Sequence, residues 1–111
     1  MNRAERIGMN EAVFRDVNER IRDVASAFDL TSEPLDLICE CGDASCVARI
    51  SLTRPEYEQL RADPELFAVA SGHVAPDVEQ LVEKRSGYDV VRKHEGVPAE
   101  IAQKTDPRSG S

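Results

Sequence analysis

The chain has 111 residues, enough for one domain with a modest core, and supplies that core with two Tyr, three Phe and no Trp. Fourteen Lys and Arg stand against 21 Asp and Glu, a formal net charge of −7. That balance argues against sequence-independent nucleic-acid binding, which rests on neutralising phosphates, and against attraction to an anionic membrane surface.

Residues 2–29 read as one long amphipathic helix. Ile7, Phe14, Val17, Ile21, Val24 and Phe28 recur at spacings of seven, three and four, the pattern of a heptad seam, with Asn10 as the polar position on it. Glu11–Arg15 and Asp16–Arg20 pair at four-residue separations on the remaining surface. The seam either packs lengthwise on its own domain or joins a protein partner or a second copy through Phe14, Val17, Ile21, Val24 and Phe28. No signal peptide is read ahead of this helix, and no apolar run approaches the ~20 residues that span a bilayer.

Thr31-Ser32-Glu33-Pro34 turns the chain. A strand is expected from Leu35 to Cys41, with Leu35, Leu37, Cys39 and Cys41 on one face, and a second from Val47 to Leu52, with Ala48, Ile50 and Leu52 alternating. Between them, all three cysteines of the chain fall within the eight residues Cys39 to Cys46. Cys39 and Cys41 are two apart, so on an extended backbone both sulfurs point to one side. Gly42 follows, where a tight turn is least strained, and Asp43-Ala44-Ser45 returns Cys46 towards the first pair.

These three thiols, joined by His73 after Gly72, would make a closed tetrahedral Cys3His shell for Zn2+. The commoner zinc pattern leaves two to four residues between paired cysteines, whereas one intervenes here. Thiol redox chemistry and buried cysteines without metal are the competing accounts, since a free Cys behaves as a small apolar side chain. Disulfides cannot use all three cysteines, and one joining Cys39 to Cys41 would close a strained ring. Reduced, clustered cysteines set the cytoplasm as the expected location.

Thr53-Arg54-Pro55-Glu56 is a capping box with proline in the first turn, predicting a helix to about Ala62 that buries Tyr57 and Leu60. Phe67 to Ala70 reads as a short strand delivering Ser71-Gly72-His73. Residues 77–85 fit a helix face or a strand alternation. The Ser86-Gly87 turn favours a hairpin of 78–85 with 88–93. His94, at the hairpin's end, is the competitor of His73 for the fourth ligand position. Pro98 to Lys104 is expected to form a short helix before a mobile end.

The run CECGDASCVARISLTRPEYEQLRADPELFAVASGHV, with NERIRDVASAF before it and YDVVRK after, resembles a family of small actinobacterial proteins. The likeness extends over almost the whole chain. It lies in the CxC-x4-C knuckle, the S-L-T-x-x-E-Y-E segment and the downstream Gly-His. It implies that Cys39, Cys41, Cys46 and His73 belong to one motif; the family has no assigned activity, and none is carried over.

The expected architecture is α+β, a long N-terminal amphipathic helix on a small antiparallel sheet with a Cys3His zinc knuckle. Its parts are the helix over 1–30, a zinc-binding domain over 31–97, and a short helix with its tail over 98–111. No catalytic residue is assigned. A closed shell leaves no open metal position, the deaminase pattern of a ligand His beside Glu with Pro-Cys-x-x-Cys is absent, and Glu40 and Asp43 beside the thiols oppose thiolate formation. The expected function is a zinc-stabilised protein-interaction or regulatory module; a redox or zinc sensor comes second, a metalloenzyme third.

Overall fold

The computed structural model describes residues 2–28 and 33–108. Its elements run helix α1 (Arg3–Ala27), strands β1 (Leu35–Ile38) and β2 (Arg49–Leu52), helix α2 (Arg54–Arg61), strands β3 (Leu66–Ala70), β4 (Glu79–Arg85) and β5 (Tyr88–Lys93), and helix α3 (Val97–Lys104). The α+β class is as expected. The antiparallel layer is split into a β1-β2 hairpin and a three-stranded sheet ordered β3-β5-β4.

Local chemistry places these elements. Asn2 caps α1 by accepting from the Glu5 amide while Glu5 reaches back to the Asn2 amide; Thr53 and Glu56 do the same for α2. In the hairpin, Leu35 faces Leu52 and Leu37 faces Ile50, and all four are buried against Tyr57 and Leu60 of α2. Of residues 77–85, Glu79–Arg85 resolve as strand, with β4 turning into β5 at Gly87, whose φ is +89°. Strand β4 is an exposed edge, protected by its charges Glu83, Lys84 and Arg85.

The chain just after β1 joins the two sheets. Regular pairing ends at Ile38 rather than continuing to Cys41, but the Cys39 amide donates to Ala48 O and the Glu40 amide to Ala68 O. Consecutive residues thus bond first to the hairpin strand and then to β3. A second core cluster forms there from Cys39, Cys41, Phe67, Val69, Val91 and Ala102.

Helix α1 differs from its expected orientation. Of the seam residues, Ile7 is buried and Ile21 packs against the hairpin core, while Val17, Val24 and Phe28 are exposed. The face turned inward is polar and carries Glu11, Arg15, Asn18 and Glu19. The reason is what the helix covers: loops and strand ends with open backbone groups. Asn18 donates to Ile38 O and accepts from the Ile38 amide, both at 2.9 Å, acting as a further pairing partner for the end of β1. Arg15 donates to Pro64 O and to Ala102 O of α3, and Asn10 donates to Gly42 O. Leucines at these positions would leave those carbonyls dry and unpaired.

Candidate metal centre

The hairpin end and the end of β3 converge on one point. Asp43 shapes the knuckle: its side chain accepts from the Ser45 amide and hydroxyl, and its carbonyl accepts from the Cys46 amide, returning Cys46 towards Cys39 and Cys41. The Ser45 hydrogen bonds hold the Asp43 carboxyl below its ordinary range. From the other side, β3 ends in a turn in which the His73 amide donates to Ala70 O and Gly72 takes φ +84°. The Gly72 amide is held by Asp89 of β5, at 3.0 Å.

The result brings Cys39, Cys41, Cys46 and His73 together, with one donor atom from each and all of these within 4.8 Å of one another. His73 Nδ1 lies 3.6 Å from Cys39 Sγ and 3.6 Å from Cys46 Sγ. A tetrahedral ion with Zn–S of about 2.3 Å and Zn–N of about 2.0–2.1 Å sets its donors about 3.5–3.8 Å apart, so the two sulfur–imidazole edges fit such a shell. The four residues form a group that can hold a metal ion. His94 is not among them: its Nε2 lies 2.9 Å from Pro76 O.

The four donors differ in surroundings. Cys39 and Cys41 are core residues, 2% and 5% exposed, Cys46 is half-buried, and His73 faces solvent. Burial pushes the Cys39 thiol up to about 12 and raises Cys41 as well. The expected cause, charge from Glu40 and Asp43, is not the leading one. Without a metal these buried thiols stay protonated and are poor nucleophiles. The Ala70 amide donates to Cys39 Sγ at 3.1 Å, which favours the thiolate that a cation would create.

Glu40 turns away from the sulfurs altogether. It accepts two hydrogen bonds from Arg61, one from Asn18 Nδ2 and one from the Ala68 amide, all beneath the knuckle. This support was not legible in the sequence, where Glu40 read as a charge beside the thiols that opposes thiolate formation; its only signal was a lone Glu between two cysteines. A second buried set, in which Lys93 contacts both Glu11 and Glu79, ties α1 to the β4-β5 sheet. A cleft of about 540 Å³ borders the metal group, lined by Arg3, Ile7, Asp43 and His73 among others, but Arg3 is already paired with Asp77.

The chain matches no protein-family model, no curated protein and no solved structure. The reading of the site therefore stands on its geometry.

Proposed function

We propose that this chain is a small protein-interaction module whose fold is closed by one structural Zn2+. The observation that carries the proposal is the Cys3His group, four protein donors within 4.8 Å of one another, enough to fill a tetrahedral zinc shell without water or substrate. Three cysteines favour zinc over the hard cations, which take oxygen donors. When bound, the ion supplies no chemistry beyond cross-linking residues 39–46 to the end of β3. The interaction role rests on α1, whose outward side carries the exposed Val13, Val17, Val24 and Phe28.

The test is metal analysis of protein purified without added metal, followed by chelation. One zinc per chain and a fall in thermal midpoint after chelation are expected, because binding free energy becomes folding free energy. Metal-free protein whose midpoint a chelator leaves unchanged would overturn the proposal.

The graded exposure of the donors favours one further reading, a redox sensor. Hydrogen peroxide reaching the half-buried Cys46 would take two electrons from two metal-bound thiolates and, with two protons from solvent, form one disulfide and two waters, releasing the ion. Zinc release at low peroxide supports this reading, and zinc retained under full oxidant challenge removes it.

A further inference from the structure

The four donors of the metal group are not held alike. Three hydrogen bonds tie the knuckle to β3 without the help of an ion: the Glu40 amide donates to Ala68 O, the Ala68 amide to the Glu40 carboxylate, and the Ala70 amide to Cys39 Sγ. His73 stands outside this frame, exposed on the turn that follows β3. Among the described residues its ring meets the sulfurs of Cys39 and Cys46, but none of the carboxylates or carbonyls that ordinarily fix a metal-bound imidazole through its second nitrogen. The cleft of about 540 Å³ is lined by both His73 and Cys41, with Ile7 and Val74 as apolar walls, so it opens onto the donor set beside the imidazole.

We propose that His73 is a displaceable ligand and that the cleft admits its replacement, a low-molecular-weight thiol that binds the ion as a fourth sulfur. The inference deepens the zinc reading above and rests on it. The incoming thiol gives its proton to solvent as its sulfur bonds to the ion. The bond from the ion to His73 Nδ1 breaks, and nothing is oxidised or reduced. The three cysteines set the class of ligand. Bound as thiolates, they overcompensate a divalent ion by one negative charge, which makes it a poor site for water or a carboxylate, whereas soft sulfur donors suit it. The apolar walls accept the aliphatic part of a small thiol. Exchange leaves the knuckle in place, because Cys39, Cys41 and Cys46 keep the ion and the three hydrogen bonds to β3 do not involve His73. Cys46, the other donor with some exposure, is worse placed to leave: its amide is held by Asp43 O, and it shares a short loop with two further ligands.

The experiment loads the full chain with Co2+ in place of zinc and follows its sulfur-to-metal charge-transfer band during anaerobic titration with 2-mercaptoethanol. The band of the wild type is expected to rise saturably by about a third, four sulfurs replacing three. His73→Ala should reach the same plateau at about tenfold lower thiol, since no ligand has to leave first. His73→Cys should begin at the plateau and not respond. Zinc-loaded wild type passed through the same thiol should keep its metal. A band that stays flat in the wild type, or falls as the ion is stripped, would overturn the proposal while leaving the structural-metal reading intact. A rise in His73→Cys equal to that of the wild type would overturn it too, and so would an equal response to acetate. A chain that takes up neither Co2+ nor zinc would refute the structural-metal reading itself, and this inference with it.

Discussion

Arg61 holds both carboxylate oxygens of Glu40, at 2.8 and 2.9 Å, where neither side chain reaches solvent. Glu40 sits between Cys39 and Cys41, so this pair fixes the backbone that presents two of the four metal donors. Arg61 continues to Leu66 O and lies over the rings of Tyr57 and Phe67, joining α2 to both core clusters. Removing one partner of a buried pair leaves the other without a counter-charge, which costs about 3–5 kcal/mol. Glu40→Ala should therefore lose stability on that scale and bind zinc more weakly, measured by urea denaturation and by competition with a chromophoric chelator. A loss within the range of ordinary surface substitutions, about 0.5 kcal/mol, would show that the pair does not support the knuckle.

The helix and the knuckle meet at a second point. A Cβ added at Gly42 would fall 2.9 Å from Ile7 Cβ and closer still to Cγ2. Gly42 is needed for this close approach, not for an unusual φ. Overpacking of this kind costs about 1–3 kcal/mol, so Gly42→Ala should destabilise by that amount. Ile7→Ala combined with Gly42→Ala should be less harmful than the two single losses added, since the shorter side chain makes room. Strict additivity in thermal or chemical unfolding would refute the contact.

Much of this was legible in the sequence, and the parts that were not share a cause. The Thr53 capping box, the hairpins and the knuckle follow from spacing and turn chemistry, which act over a few residues, whereas the Asn2–Glu5 box was not read and His73 and His94 both stayed open as the fourth donor. The facing of α1 did not follow. Its inward residues Glu11, Arg15 and Asn18 repeat at helical spacing just as the seam does, but the hydrophobic effect makes the apolar stripe the natural choice for the interior. What decides the matter is the set of unpaired carbonyls at Ile38, Gly42, Pro64 and Ala102, which exist only once the rest of the chain has folded. Residues 109–111, expected to be mobile, lie outside the described residues.

The Glu11–Lys93–Glu79 set predicts a pH dependence. Burial, only partly opposed by Lys93, raises the Glu11 carboxyl to about 9 from its ordinary 4.5, and its Oε2 has no hydrogen-bond partner among the described residues. Two carboxylates and one ammonium would carry a net negative charge in the interior; one proton on Glu11 cancels it. The folded chain thus holds a proton that the unfolded chain releases above its ordinary carboxylate range. This contribution to stability is complete below about pH 4.5 and is lost as pH rises towards 9, with a slope of at most about 1.4 kcal/mol per pH unit. Glu11→Gln should flatten that decline between pH 6 and 9, and urea midpoints across the range would show it. Parallel curves for variant and wild type would place the proton elsewhere.

The unequal surroundings of the four donors predict unequal consequences of their loss. Cys39 packs among Phe67, Val69, Val91 and Ala102 and accepts from the Ala70 amide, so Cys39→Ser removes a ligand and places a hydroxyl in an apolar core. His73 stands on an exposed turn beyond β3, outside both core clusters. His73→Ala should leave the β3-β5-β4 sheet formed and three thiols in place, lowering zinc affinity without abolishing it. Metal titration and thermal unfolding should then order the variants, Cys39→Ser well below His73→Ala and both below wild type. In the presence of excess chelator the His73→Ala midpoint should coincide with that of the wild type, because the imidazole contributes through the ion alone. A separation that persists without metal would mean that His73 stabilises the fold directly, contrary to its place on the solvent side of the knuckle.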